Sequence, residues 1–402
     1  MTKKIIIAGC GFAGLWAAIS AARAVSLTGD EENVEISIVS PTPNVTIRPR
    51  LYEAVLENMN PAVGELLAAI GVRHVCGLVE TINASAKTVI VAKNDGSRMT
   101  MDYDRFVLAT GSELFRPAVP GLEEFAFDVD QLEAAESLDL HLRKLGQRPA
   151  TAARDTVVIA GGGLTGLETA TEMPLRLRAA LGESARFRVV LADAADAVGL
   201  SMGENALPFV QEALALGGIE TRPGIQVTAI EADRVTLSSG ESIDTNTVVW
   251  TAGMRASPLT AQVPGKLDWL GRVICDPFLR ASAANGIFVT GDTANAATDD
   301  EGNFNVMSCQ HALSLGRVAG HNAAAELVGL DLHPYCQPKY VTCLDLGDWG
   351  ALYAEGWDRQ VQITQADAKK IKQEINTVWI YPPVADRDAA FALANPDFVI
   401  VP

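Results

Sequence analysis

The amino-acid sequence predicts an α/β protein built on two parallel sheets, and three observations carry that expectation. A β-branched run, Ile5 to Ile7, meets glycines at 9, 11 and 14 and then a helix-forming stretch from Leu15 to Ala22. The same order recurs downstream as Thr156–Ala160, glycines at 161, 163 and 166, and the stretch Leu167–Met173. Two apolar strands, Asp104–Ala109 and Thr247–Trp250, run into small turns, Ala109-Thr110-Gly111 and Thr251-Ala252-Gly253. Strand, G-x-G-x-x-G turn and helix together open a βαβ unit.

In such a turn the first glycine permits the sharp strand-to-helix reversal. The second lets the backbone approach a pyrophosphate, and the third lets helix and strand pack closely. The helix start adds orphan N–H groups and partial positive charge. Two such cradles, at Gly9, Gly11 and Gly14 and at Gly161, Gly163 and Gly166, imply two bound nucleotides. Lys3 and Lys4 ahead of an apolar run also resemble a secretory leader. Three glycines in that run, each costing about 1 kcal/mol in a helix, argue against it.

Composition sets the outer limits. A chain of 402 residues, 48% hydrophobic and 20% charged, is long enough for two or three well-buried cores. The formal net charge of −17 disfavours nucleic acid and anionic lipid, which need cationic patches. No apolar run is long enough to predict a membrane span. Six cysteines, at 10, 76, 275, 309, 336 and 343, are scattered without a C-x-x-C, and the five histidines show no metal-ligand spacing. Reduced thiols in a cytoplasmic protein without a bound metal are expected.

Taken in order, the first cradle leads into a strand, Val34–Val39. Ser40 stands where a dinucleotide site usually has an acid for a ribose hydroxyl. The run Ile47–Val55, IRPRLYEAV, reads either as a surface loop or as one that sends an arginine to the cofactor. Short strands are expected around Gly71–Leu78 and Lys87–Ala92, Pro117–Gly121 reads as a linker, and a helix is expected over Leu132–Lys144. After the second cradle, the strand Arg188–Leu191 has Asp193 near its end, so this copy carries its acid. A helix over Ala206–Leu216 and a meander over Val235–Thr247 follow. The strand Gly286–Thr290 delivers Gly291 and Asp292 to the edge where α/β sheets bind ligands, though Asp also favours helix N-caps. Asn305–Gly329 reads as one helix, with Ser308 a candidate N-cap and Gly329 a C-terminal stop. Beyond His333, strands at Tyr340–Asp345 and Gly350–Tyr353 and a helix at Ala366–Asn376 suggest a third module.

The motifs GCGFAG, ATGS, GGGLTGLE, WTAG and VTGD, in this order, resemble the two-dinucleotide-fold flavoproteins of the pyridine nucleotide–disulfide oxidoreductase superfamily. Within it, TGLE, PRLYE and CQHALSLG are most similar to type II NADH dehydrogenases, over about residues 3–330. The resemblance implies two Rossmann-like domains plus a small C-terminal α+β module. An FAD domain, 1–116 and 282–330, would be split by an inserted NAD(P)H domain, 117–281, with 331–402 as the last module. FAD would lie near Gly9, Gly11, Gly14, Ser40, Arg48, Val79, Thr110, Gly111, Gly291, Asp292 and Gln310. NADH would lie near Gly161, Gly163, Gly166, Asp193 and Gly253, with NADPH disfavoured because Asp193 would repel a 2′-phosphate. Glu168, two residues past the last cradle glycine, would position the nicotinamide and tune electron transfer, although a carboxylate in a first helical turn also has a purely structural reading.

Three departures from that pattern matter. No redox C-x-x-C follows the first cradle. The quinone-associated A-Q-x-A-x-Q pattern reads Cys309-Gln310-His311-Ala312-Leu313-Ser314, with serine at the second glutamine. The basic, amphipathic membrane tail is not evident in TQADAKKIKQEIN. The expected activity is an FAD-dependent NADH oxidoreductase passing electrons to a quinone or other small organic acceptor. It would be cytoplasmic, with peripheral contact to the inner membrane face and a homodimer left open. The alternatives are a soluble reductase of a protein electron carrier, against which a pI near 4.7 speaks, and a low-turnover dinucleotide sensor.

Overall fold

The computed structural model describes residues 2–400. Its first sheet has five parallel strands, in the order Ile287–Val289, Arg105–Leu108, Lys3–Ala8, Val34–Ser40 and Arg73–Cys76. The Lys3–Ala8 strand is central, and Ile5, Ile6 and Ile7 are buried, as suits a parallel sheet covered on both faces. Against it lie two helices, Phe12–Thr28 and Cys309–Val328. These helices approach closely because Gly316 and Gly320 face Ala13 and Ala17; a Cβ on Gly320 would stand 2.0 Å from the Ala17 carbonyl oxygen.

The second sheet repeats the plan with the parallel order Ile219–Pro223, Arg188–Asp193, Thr156–Ala160, Thr247–Trp250 and Ala126–Phe127. The helices Leu132–Leu145 and Leu164–Leu181 pack on it. A two-stranded ribbon, Ser112–Leu114 with Met254–Ala256, joins the segments that leave the two sheets. The two parallel sheets and their flanking helices make this the mixed α/β, Rossmann-like architecture expected.

The C-terminal region forms a three-stranded antiparallel sheet, Val341–Asp345, Ala351–Glu355 and Gln360–Thr364, with the helix Gln365–Glu374 against it. The end of the chain returns to the first core: Ser20 Oγ donates to the Ala394 carbonyl, and Arg317 Nε donates to the Leu393 carbonyl.

Several local expectations need correction. The helix expected over Asn305–Gly329 begins at Cys309, because Ser308 caps it by accepting from the His311 N–H, and the Asn305 side chain is occupied with Ala294 and Ala296 main chain. The second cradle helix continues through Pro174 to Leu181; burial of its face offsets the hydrogen bond that proline removes. Pro117–Gly121 is packed rather than a free linker: the Pro120 carbonyl accepts from the Ile230 N–H. The meander starts earlier, at Val227–Glu231, and closes with Arg234–Leu237 and Ser242–Asp244. The strand Gln360–Thr364, whose residues alternate polar and apolar, and the helix Arg387–Leu393 are additions to the expected elements.

Candidate functional site

Both cradles close as their glycines require. At the first, Gly9 has φ +102°, and a Cβ there would meet the Ala109 carbonyl oxygen at 2.4 Å. A Cβ on Gly14 would meet the Gly9 carbonyl oxygen at 1.9 Å, so strand, turn and helix touch through bare backbone. Gly11 faces open space, and the helix that begins after it has no side-chain cap. Its first-turn N–H groups are therefore available to an anion. The second cradle matches: Gly161 has φ +113°, a Cβ on Gly166 would lie 1.8 Å from the Gly161 carbonyl oxygen, and Gly163 faces open space before an uncapped helix.

Around the first cradle the structure brings several of the expected residues together. Ser112 Oγ donates to Asp292 Oδ2 at 2.6 Å, while Arg48 donates to the Ser112 carbonyl and pairs with Asp130. Asp292 is partly buried, and desolvation pushes its carboxyl up from the ordinary aspartate value against the pull of Ser112 and Arg48. The Thr110 hydroxyl is buried without a hydrogen-bond partner. Gly111 continues the same turn, with φ +68°, and Gly291 packs so tightly on the first helix that a Cβ would stand 2.7 Å from Ala13 Cβ. An unpartnered hydroxyl, a partly buried acid and a glycine open to space are the fittings a dinucleotide with a polyhydroxylated linker would use.

Other expected residues stand differently. The Ser40 hydroxyl is buried and already engaged, donating to the Thr42 carbonyl at 2.7 Å and lying 3.0 Å from His74 Nε2. Val79 is buried on the strand Leu78–Asn83, opposite Val91. Gln310 reaches the Lys339 carbonyl at 3.4 Å. Of the two arginines in IRPRLYEAV, Arg50 turns away, binding Glu53 and the Tyr381 hydroxyl.

At the second cradle, Asp193 hangs over the turn: a Cβ on Gly162 would lie 2.3 Å from Asp193 Oδ2. Gly253, at φ +83°, packs near Phe115. The guanidinium of Arg222, on the neighbouring strand, is committed to Glu241 and Glu220.

Glu168 is 2% exposed, which removes the reading of a solvated charge at a helix end. Its Oε1 accepts from Lys372 Nζ at 2.7 Å and from the Asp345 N–H at 3.1 Å. Burial pushes its carboxyl up to about 7, against the opposing pull of Lys372. Lys372 is buried too, donates also to the Cys343 carbonyl, and is held protonated by the carboxylates around it although burial alone would lower it. Below neutrality the pair is a neutral acid beside an ammonium; above it, an ion pair.

Lys372, Asp345, Tyr52 and Ser112 are site residues that sequence reasoning missed. Lys372 lies 204 positions from its partner, within a mixed-charge helix that gives no local cue. Ser112 had one, as the residue closing ATGS.

All six cysteines are free; burial pushes Cys10 and Cys309 up to about 11 and Cys343 to about 12. Burial therefore holds Cys10, Cys309 and Cys343 protonated at neutral pH and makes these three poor nucleophiles. Among the described residues, no cluster of His, Cys, Asp or Glu could hold a metal ion, and no helix is long and apolar enough to cross a membrane.

The signature of the pyridine nucleotide-disulphide oxidoreductases matches residues 3–316. An NADH dehydrogenase-like protein of Mycobacterium tuberculosis is 46% identical over 387 residues, covering 96% of this chain and 95% of that one. A demethylphylloquinone reductase of Synechocystis is 30% identical over 87% of this chain and 86% of its own. Among solved structures, NDH2 of Plasmodium falciparum shares the fold over 100% of both chains with a TM-score of 0.77, at 12% identity. The family signature spans both cradles and the helix that carries Glu168, and the chain belongs to the pyridine nucleotide-disulphide oxidoreductase family.

Proposed function

We propose that the chain is an FAD-dependent NADH oxidoreductase that passes two electrons to a quinone or a similar small organic acceptor. The observation that carries this reading is the duplicated cradle, each copy open at its second glycine beside an uncapped helix start. One such site suits a carrier or sensor; two in one chain suit transfer between nucleotides. The names of the relatives, NADH dehydrogenase-like protein and demethylphylloquinone reductase, support NADH as donor and a quinone as acceptor.

When bound, the flavin supplies the two-electron chemistry. In this reading residues 1–116 and 282–330 hold it: backbone N–H groups beyond Gly11 bind the pyrophosphate, and Asp292, Ser112 and Thr110 meet its hydroxylated linker. Residues 117–281 hold NADH, with the Gly163 helix start on its pyrophosphate and Asp193 accepting from ribose hydroxyls. The start of the helix Cys309–Val328, beside Gln310, offers partial positive charge to an anionic ring. Residues 331–400 close over Glu168, whose partner Lys372 is held as an ammonium that hydrogen-bonds and steadies the Glu168 carboxyl. A thiol relay is not part of the reading, since every cysteine is unpaired.

The test is direct. The purified protein is assayed for released FAD, for bleaching of the flavin by NADH, and for steady NADH oxidation with menadione. Bound FAD, bleaching and quinone-dependent turnover are expected. A protein that binds both nucleotides but turns over with no quinone would leave the sensor reading in its place.

A further inference from the structure

The antiparallel sheet of the C-terminal module carries a tight hairpin turn, Gly356 to Arg359, between the strands Ala351–Glu355 and Gln360–Thr364. Arg359 stands in that turn at φ +52°, a left-handed conformation that suits glycine and is costly for a residue with a Cβ. Its side chain is held rather than free in solvent. Nη1 donates to the Ser201 carbonyl at 2.6 Å and Nε to Thr342 Oγ1 at 3.2 Å. Beside it, the Asp358 carbonyl accepts from Asn205 Nδ2 at 2.8 Å. The hairpin thus reaches from the C-terminal module to the loop that follows the strand Arg188–Asp193. That loop borders the second cradle, since Ser201 Oγ donates to the Gly162 carbonyl at 3.4 Å.

The other side of the turn is anchored to the first unit. The Gly356 N–H donates to the Tyr340 carbonyl, and the Trp357 ring stacks on Tyr340 with centroids 4.7 Å apart. Tyr340 stacks in turn on His311, in the first turn of the helix Cys309–Val328. With both sides fixed, the guanidinium is set at the cradle border before a ligand arrives. Its hydrogen bonds go to neutral oxygens, and the neighbouring Asp358 carboxylate accepts from Gln360 Nε2 at 2.8 Å. Arg222, by contrast, is spent on Glu241 and Glu220.

We propose that Arg359 is a positioning residue of the second cradle: it ties the Ser201 loop against Gly162 and lends its charge to the pyrophosphate of the dinucleotide bound there. The proposal rests on the functional reading above. A pyrophosphate brings two negative charges to a chain whose formal net charge is −17, and Asp193 already stands over this turn. A fixed cation at the border lowers the cost of that approach. The strained backbone at Arg359 fits the same account, because a side chain kept where glycine would sit without strain has a duty of its own.

Arg359→Gly is the main test, since glycine suits φ +52° and removes only the side chain. ADP-ribose carries the pyrophosphate without the nicotinamide, so calorimetry with it on the flavin-loaded protein reads the cradle with no electron transfer. Arg359→Gly should bind ADP-ribose roughly tenfold more weakly, the size of one charge acting across a partly wet boundary. Its affinity should also depend less on salt than that of the wild type. In NADH-driven bleaching, the concentration giving half the limiting rate should rise by the same factor while the limiting rate holds. The variant should melt near the wild type, and Arg359→Lys, which keeps the charge, should recover most of the affinity. Unchanged ADP-ribose binding in Arg359→Gly would overturn the proposal. So would weaker binding in both variants that comes with earlier melting in both, which would make Arg359 a structural tie alone. Either result leaves the functional reading intact. A wild-type holoprotein that neither binds ADP-ribose nor is bleached by NADH would remove that reading itself.

Discussion

Asp193 combines a strand-end position with a carboxylate poised over the second glycine turn, where it would meet the ribose of a dinucleotide held by that cradle. A 2′-phosphate there would face that negative charge. The cation on the adjacent strand, Arg222, is already spent on Glu241 at 2.9 Å and on Glu220. We expect NADH to be used in preference to NADPH and Asp193→Asn to narrow the ratio of kcat/KM by roughly tenfold, which corresponds to about 1.4 kcal/mol. Equal kcat/KM for the two nucleotides in the wild type would refute this. The expected counterpart in the first cradle, Ser40, is turned inward to Thr42 and His74, so the two cradles differ in the side chain offered at the strand end.

At the scale of the elements, strand, glycine turn and helix form one unit whose glycines have different duties. A Cβ on Gly14 has nowhere to go, because the Gly9 carbonyl oxygen lies 1.9 Å away; a Cβ on Gly11 meets nothing within 4 Å. Gly14→Ala should therefore lower the melting temperature of the flavin-free protein, with overpacking costing about 1–3 kcal/mol. Gly11→Ala should leave that melting temperature near the wild-type value but weaken FAD binding by at least roughly tenfold, since it fills the approach of the pyrophosphate. Thermal scans of flavin-free protein and an FAD titration separate the two. If both variants melt alike and bind alike, the division of labour is wrong. The paired helices Phe12–Thr28 and Cys309–Val328 show the same logic, since Gly316 and Gly320 admit the backbone of the partner.

For the whole molecule, the decisive contact joins helix Leu164–Leu181 to the C-terminal module through Glu168 and Lys372. Glu168 has its carboxyl raised from 4.5 to about 7, so the native state binds a proton more tightly than the unfolded chain across that interval. Its contribution to stability is thus full at low pH and is lost as pH rises through about 7. Removing Lys372 takes away the partner that makes the charged form tolerable. Lys372→Ala should destabilise the fold by about 3–5 kcal/mol at pH 8, where an unpaired buried carboxylate remains, and by clearly less at pH 5, where Glu168 is neutral. Denaturant melts at the two pH values measure it. A penalty that is equal at both, or larger at pH 5, would contradict the assignment.

The repeated glycine spacing, the small turns at 109–111 and 251–253 and the acid at 193 determined by themselves that this is a two-cradle α/β protein, because each of these features acts within a few residues of backbone. Local chemistry of that kind is readable wherever period and turn type agree. The start of one helix at Cys309 follows from the local Ser308 cap, whereas the extension of another through Pro174 was decided by packing of Leu167, Ala170, Met173 and Leu177 into a core built from distant segments. The same holds for the site. Glu168 announced itself in TGLE, but its protonation belongs to its burial and to Lys372 and Asp345, which the chain places far away and only the folded core brings within hydrogen-bond reach. A carboxylate's environment is a property of three-dimensional burial and neighbouring charge, and neither is written in the spacing of its own helix.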